Sequence, residues 1–257
     1  MDTMHAALYG ELTPHTLRDH RVASSDAYSL FVARSSAMGW LAGEDAAGLW
    51  GMNDAGTPDP GERDASDRRS GLGRVAWFQV SADPVPGRPL PVQPFLTCAG
   101  DVVARIGTLR LQALQILLPG RTIAPSLAGV GALLQDAEWF ADSDPEARTR
   151  VRVTVDGGQD PAIRSAAPLM LAQLRELQQD VFSFTSCSPN DDDAVIIPPA
   201  FINELWTGPP RHRATFLGAL AEWSLDALGW LTALLAEVAA DHGTGSPLLM
   251  TAARMPL

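Results

Sequence analysis

The feature that most restricts the fold is a regular alternation of side chains between Arg148 and Val155. Valine stands at positions 151, 153 and 155, and arginine stands at positions 148, 150 and 152. Successive side chains of a β-strand point to opposite faces, so this alternation is typical of a strand with one apolar and one polar face. We therefore predict a half-buried strand over 148–155.

Five further elements are predicted between this strand and the last residues. Apolar residues spaced by three or four positions indicate two helices, and β-branched or alternating stretches bounded by turn residues indicate three strands. Pro168 fits only the first turn of a helix, while Ser224 is a favoured N-cap. In order, these elements are a helix beginning near Ala166, strands over 181–187 and 214–223, a helix over 224–243 and a strand over 248–254.

The order strand, helix, strand, strand, helix, strand thus fills residues 146–257. It is the order of a ferredoxin-like, or split βαβ, unit, in which two helices cover one face of an antiparallel sheet. We predict an α+β fold with such a unit at the C-terminus. The other face of its sheet is small and weakly polar, which predicts that a second sheet, another subunit or a ligand packs there. The residues expected on that face are Thr154, Thr185, Cys187, Ala219, Ala221, Thr251 and Ala253.

Residues 1–145 give a weaker pattern, which leaves several elements open. Together they suggest a second α+β unit similar to the first. The predicted elements are strands over 6–12, 75–80 and 102–111, a helix or strand over 26–41, a bulged strand or helix over 113–118, and a helix over 125–140.

Two stretches of this first half lack a regular pattern. Residues 52–72 hold no apolar side chain larger than alanine between their ends, which predicts a long polar loop, either a lid or a disordered insert. Five prolines between Pro84 and Pro94 predict a stiff, extended segment beside an edge strand, with a proline-dependent docking surface as the alternative.

The kinds of chemistry open to the chain are limited by the absence of lysine. All 19 positive side chains are arginine, which excludes Schiff-base chemistry and phosphate loops that depend on lysine. The motifs G-x-S-x-G, H-E-x-x-H, paired CxxC and G-x-G-x-x-G do not occur in the sequence. Residues 190–193 collect oxygen ligands but lack the spacing of a calcium loop. We therefore predict neither a cofactor nor a metal site.

The overall charge disfavours several partners. A net charge of −11 repels nucleic acid and anionic lipid. The longest apolar stretch, 225–240, is interrupted by Asp226 and Glu237, and the first residues do not resemble a secretion signal. We expect a cytoplasmic protein that binds a protein partner or a small anionic ligand, with no nucleic acid and no membrane, and a homodimer is an open alternative.

The candidate ligand-binding residues are two arginine-containing groups. Three cations on one face of a strand repel one another, and a phosphate or carboxylate ligand would neutralise them through forked hydrogen bonds. The alternative is that carboxylates of the chain itself neutralise them. The predicted ligand-binding residues are Arg148, Arg150, Arg152, Arg211 and His212.

These observations support two hypotheses about function. The first is a non-catalytic protein of an accessory, immunity or regulatory kind that binds a partner or ligand across the sheet face. The second is a cofactor-independent isomerase, cyclase or lyase that uses histidine or aspartate for proton transfer and arginine for an anionic group. A pocket that contains Arg150 or Arg152 together with a histidine would favour the enzyme.

Overall fold

The computed structural model describes residues 2–15, 26–43, 47–58, 72–85, 87–120, 127–189 and 197–255. In these ranges eight strands form one antiparallel sheet, accompanied by five α-helices. The strands are β1 (Asp2–Pro14), β2 (Gly51–Gly56), β3 (Arg74–Ala82), β4 (Gly107–Leu118), β5 (Thr149–Asp156), β6 (Phe182–Ser188), β7 (Arg213–Leu220) and β8 (Leu248–Arg254). The helices are α1 (Ala27–Ala37), α2 (Val92–Ile106), α3 (Leu127–Asp136), α4 (Ala162–Glu176) and α5 (Leu225–Asp241).

The strands follow the order β2-β3-β1-β4-β8-β5-β7-β6 across the sheet. The first four strands occupy one half and the last four the other, and β4 pairs with β8 where the halves meet. Within β5 and β7, Val153 lies directly opposite Phe216. The predicted α+β fold with an antiparallel sheet is therefore confirmed, and the sheet continues through both halves of the chain.

The hydrophobic core lies on the face of the sheet that the helices cover. Alternate residues of the central strands point into it, so the two-residue period of the sequence becomes one apolar layer. Each fully buried aliphatic or aromatic side chain contributes roughly 1.5 to 3 kcal/mol through removal from water. Buried strand residues of this layer include Leu8, Phe78, Ile116, Val151, Val153, Val155, Phe216 and Met250.

The two halves also meet through their helices, where α2 packs closely on α5. Asp226, in the first turn of α5, accepts hydrogen bonds from Gln93 Nε2 at 2.9 Å and Thr97 Oγ1 at 3.0 Å. Gly229 lies against the backbone of Gln93, so close that a Cβ at this glycine would be 2.7 Å from Gln93 Cα. Helix α5 is consequently almost wholly buried. No helix in the described ranges is long and apolar enough to cross a membrane.

Two of the elements predicted for the first half need correction, and one open alternative is resolved. The strand expected over 102–111 is wrong up to Ile106, because those residues end α2. Residues 113–118 form a bulged strand, and Gln112 is the additional residue, since Tyr9 pairs with Ala113 and Gly10 pairs with Leu111. This bulge explains why the alternation changes phase. The polar loop expected over 52–72 begins later, because β2 continues to Gly56, and residues 59–71 lie outside the described residues.

Prolines misled the prediction at two helices, of which α4 begins earlier than predicted and α2 was not predicted. Helix α4 starts at Ala162, so Pro168 lies inside it. The helix tolerates this proline although the backbone N–H of that position is lost. Helix α2 starts at Val92, so the extended proline segment ends at Pro91 and Pro94 takes part in the first turn.

Candidate functional site

The face of the sheet opposite the helices, here called the open face, is crossed by a segment without regular strands. This segment, residues 197–209, is called the strap. Its apolar side chains pack on the middle strands of the sheet. Ile197 packs against Ala7, Tyr9 and Ala113, while Phe201, Leu205 and Trp206 pack with Leu117 and Leu249. The signal for the strap was present in the sequence, because large apolar residues in a loop indicate that the loop is buried.

Gln115 of β4 fastens the strap at its beginning. Its Nε2 donates to the Ile197 carbonyl oxygen at 3.0 Å, and its Oε1 accepts from the Ala200 backbone N–H at 2.9 Å. Arg74 of β3 donates to the Ala200 carbonyl oxygen at 3.3 Å. The fully buried amide of Gln115 thus satisfies backbone groups of a segment that has no strand partner there.

The other end of the strap is fastened beside the end of β5. Thr207 Oγ1 donates to the Gly157 carbonyl oxygen at 2.7 Å, and the Gln159 backbone N–H donates to the Thr207 carbonyl oxygen at 2.8 Å. Gly158 has a φ of +62°, and a Cβ at this position would overlap the Thr207 carbonyl. Glycine is required here because both the backbone conformation and the close approach exclude a side chain.

A histidine lies beneath the strap. His5 of β1 is 3% exposed, and its ring lies edge-on to Phe201 with 5.0 Å between the ring centroids. Burial, assisted by the positive charge of Arg74, lowers the pKa of His5 from 6.5 to about 4. Its Nδ1 has no hydrogen-bond partner among the described residues. His5 is therefore a neutral ring at pH 7, packed between the sheet and the strap.

The small residues of the open face were expected to pack against a second sheet, another subunit or a ligand, and the strap corrects this expectation in part. Part of that face is covered by the chain itself, so Ala253 packs beside the strap. Thr154 and Thr251 do lie on the open face, side by side on β5 and β8. Cys187 instead shares the helix-covered face with its partner Phe216, because a register shift between Phe184 and Ser186 reverses the alternation in β6. Thr185 is exposed at this shift, and Ala221 is buried beyond the end of β7.

Of the predicted arginine row, Arg150 and Arg152 extend along β5 on the open face. Arg150 lies opposite Ala219, and Arg152 lies between Leu217 and Ala253. Arg148 precedes the strand and turns toward the sheet edge, where it donates to Ser183 Oγ at 3.0 Å and to the Asp180 carbonyl oxygen at 2.8 Å. The row is therefore divided between one structural arginine and two on the open face.

Arg211 and His212 lie at the other end of β5, around the buried carboxylate of Asp156. That carboxylate accepts from the backbone N–H groups of Gly158 at 2.7 Å and Arg211 at 3.3 Å, and Arg213 approaches it to 3.6 Å. Burial nevertheless raises the pKa of Asp156.

The two groups of predicted ligand residues are consequently separate. Arg150 and Asp156 are six positions apart on one strand, which corresponds to roughly 20 Å. The structure does not bring the five predicted residues together at one site. The distance between Arg150 and the basic cluster at 211–213 could not be derived from the sequence. It depends on the pairing of β7 with β5, which places the cluster at the far end of β5.

Two grooves are lined by described residues of the first half of the chain. One, with a volume of about 540 Å³, runs between α1 and α2 and holds the ion pair of Arg34 and Asp101 at 2.7 Å. The other, of about 210 Å³, lies beside Trp50 and the proline segment. Neither is lined by Arg150, Arg152 or a histidine. Within the described part of the chain, no three His, Cys, Asp or Glu residues are grouped as metal ligands would be.

Comparison with protein-family models, curated proteins and solved structures finds no match for this chain.

We expect Gln115→Leu to release the beginning of the strap. The substitution leaves the buried Ile197 carbonyl and Ala200 N–H without a partner, so the free energy of unfolding should fall by about 2 kcal/mol. Hydrogen exchange should become faster at the Ala200 amide. Gln112→Leu is the matched control, because Gln112 lies on the same strand and its side chain has no partner among the described residues. Equal exchange at Ala200 in both variants would contradict the role of the clamp.

Proposed function

We propose that the chain is a non-catalytic binding protein of an accessory or regulatory kind. Its ligand is an anionic group, either a small anion or the acidic segment of a protein partner. The binding surface is the part of the open face that the strap leaves uncovered, on β5, β7 and β6. Carboxylate and phosphate share the chemistry that forked arginine donors recognise.

The observation that carries the proposal is the position of Arg150. Its side chain is exposed on the open face, and the guanidinium has no hydrogen-bond or ion-pair partner among the described residues. Its cross-strand neighbour Ala219 is small. Beyond Ala219, Ser183 of β6 accepts a hydrogen bond from Arg148. A ligand can therefore approach the Arg150 guanidinium over Ala219.

The charge of the whole chain makes this surface selective. At a net charge of −11 the protein repels anions in general. A positive surface on such a protein attracts an anion only where local hydrogen bonds exceed that repulsion. Arg152 lies on the same face two residues along β5, so it adds a second positive charge near Arg150.

The proposal is tested with two probes, inorganic phosphate and a hexaglutamate peptide, at low ionic strength. Binding is followed by NMR signals of the arginine Nε–H groups. We expect Arg150→Glu to weaken binding about tenfold or more, since a charge-assisted hydrogen bond contributes about 1.5 to 3 kcal/mol. Binding of phosphate alone would indicate a small-molecule ligand, and stronger binding of the peptide would indicate a protein partner.

Arg254→Glu is the matched control. Arg254 is also exposed and lies on the neighbouring strand β8, but it pairs with Val151 and so belongs to the helix-covered face. Equal losses in the Arg254 and Arg150 variants would show a general charge effect and would overturn the proposed surface. Failure of both probes to shift the Arg150 signal would also overturn it.

We further propose that each half of the sheet is a ferredoxin-like unit built on the split βαβ motif, with a boundary near residue 145. The support is a repeated arrangement. Each half has the order strand, helix, strand, strand, helix, strand when α3 is taken as part of the connection. Across the sheet, the four strands of each half lie in the order fourth, first, third, second.

A further inference from the structure

We propose that a second surface, formed by residues 136–147 and called the Trp139 knob, binds a cationic segment of a protein partner. It is independent of the anion surface on the open face, since the two carry opposite charge and lie on different elements. The knob begins at the last residue of α3 and comprises two short 3-10 helices, Ala137–Phe140 and Pro145–Ala147.

The first observation is an exposed tryptophan. The side chain of Trp139 is 78% exposed, the highest value among the large exposed hydrophobic residues. Tryptophan is usually well buried in a folded protein, and exposed aromatic residues are enriched where proteins bind one another. Covering this ring would remove a large apolar area from water without any rearrangement of the core.

The ring is presented on a well-anchored base. Its neighbours Ala137 and Phe140 are buried, as is Leu133 of α3. Trp230 Nε1 of α5 donates to the Leu133 carbonyl oxygen at 2.6 Å. The backbone N–H of Ala141 donates to the Glu138 carbonyl oxygen at 3.2 Å. Because the base is ordered before binding, a partner loses little affinity to ordering of the knob.

The second observation is the charge around the ring. The knob carries carboxylates without a single positive residue in the same segment. None of them has a cationic partner among the described residues. The next arginine, Arg148, is turned toward Ser183 and Asp180. The five exposed acidic residues are Asp136, Glu138, Asp142, Asp144 and Glu146.

An exposed indole ring in a segment that carries five unneutralised carboxylates defines the chemistry of the occupant. The face of a tryptophan ring attracts the positive charge of an arginine or lysine side chain. Neighbouring carboxylates attract the same cation and increase the rate of encounter. A basic segment with closely spaced arginines satisfies both requirements, whereas an acidic or purely apolar segment would be repelled or left without ion pairs.

The test is titration of the full chain with a hexa-arginine peptide at low ionic strength, followed by calorimetry and by the indole N–H signals. We expect Trp139→Ala to weaken binding about tenfold, consistent with loss of cation–π and apolar contact. The double variant Glu138→Gln with Asp142→Asn should weaken binding by a similar factor while retaining the ring. Because these side chains are exposed, all the variants should keep the unfolding midpoint of the original chain.

Leu169→Ala is the control, since Leu169 is a large apolar side chain on α4 with 59% exposure. It should bind the peptide as the original chain does. The Arg150→Glu variant should also keep its affinity, so failure of the anion surface and failure of the knob are separable. Equal affinity of the Trp139 and Leu169 variants would show that the peptide responds to net charge alone and would overturn the proposal, as would the absence of binding by the original chain.

Discussion

Gly229→Ala should lower the free energy of unfolding by about 3 kcal/mol, because an added methyl group between two packed helices is a case of overpacking. The new carbon would lie 2.7 Å from Gln93 Cα and 3.3 Å from Gln93 N, and both of these are backbone atoms. A flexible side chain could move aside, but the backbone of α2 cannot do so without shifting the helix. Separation of α2 from α5 would also weaken the hydrogen bonds to Asp226.

The measurement is urea unfolding followed by circular dichroism, with Gly131→Ala as the matched control. Gly131 is an exposed helical glycine with no atom within 4 Å of its would-be Cβ. Alanine at that position should raise stability by about 0.5 to 1 kcal/mol through helix propensity. If the two variants changed stability in the same direction, the close contact of α2 and α5 would be refuted.

Acidification should destabilise the protein through His5, by about 3 kcal/mol in total. The folded pKa of about 4 lies below the unfolded value of 6.5, so between these values the folded state holds fewer protons than the unfolded state. Stability is therefore lost as pH falls through that interval, and the loss is complete below the folded pKa. The protonated ring would lie beside Arg74 and against the apolar ring of Phe201, without solvent to stabilise the charge.

The measurement compares the free energy of unfolding of the original chain with that of His5→Phe, at pH values between the folded and the unfolded pKa of His5. Phenylalanine keeps an aromatic ring against Phe201 and cannot be protonated, so the variant should lose less stability on acidification. Carboxyl groups titrate in both proteins and cancel in the difference. His15→Gln is the control for removal of a histidine elsewhere, because His15 is exposed. A His5→Phe variant with the original pH dependence would exclude His5 as the source.

Local pattern was sufficient for much of the secondary structure in the second half. Ser224 does cap α5, accepting from the Ala227 backbone N–H at 3.1 Å, and β8 has the predicted bounds of 248–254. These elements depend on interactions between residues close in sequence, which a periodicity or a cap makes visible. Predictions failed where packing overrode a local preference, as at Pro168 inside α4.

For the candidate sites, too, local pattern predicted some features and packing determined the others. Alternation alone placed Arg150 and Arg152 on one face of a strand, and composition alone excluded lysine chemistry. The partner of Arg148, the distance between Arg150 and Arg211, and the exposure of Trp139 each depend on which strands and helices become neighbours. No spacing along the chain records those contacts.

The residue pattern alone predicts a mixed α+β chain, the polarity of the two faces of β5 and the absence of lysine chemistry. Packing between distant elements decides that β4 and β8 join both halves into one sheet and that residues 197–209 return across its open face. Hydrogen bonds and periodicity within an element are local, whereas burial depends on residues far apart in sequence. Gln115 shows this most directly, because its buried amide is explained only by Ile197 and Ala200, more than 80 positions away.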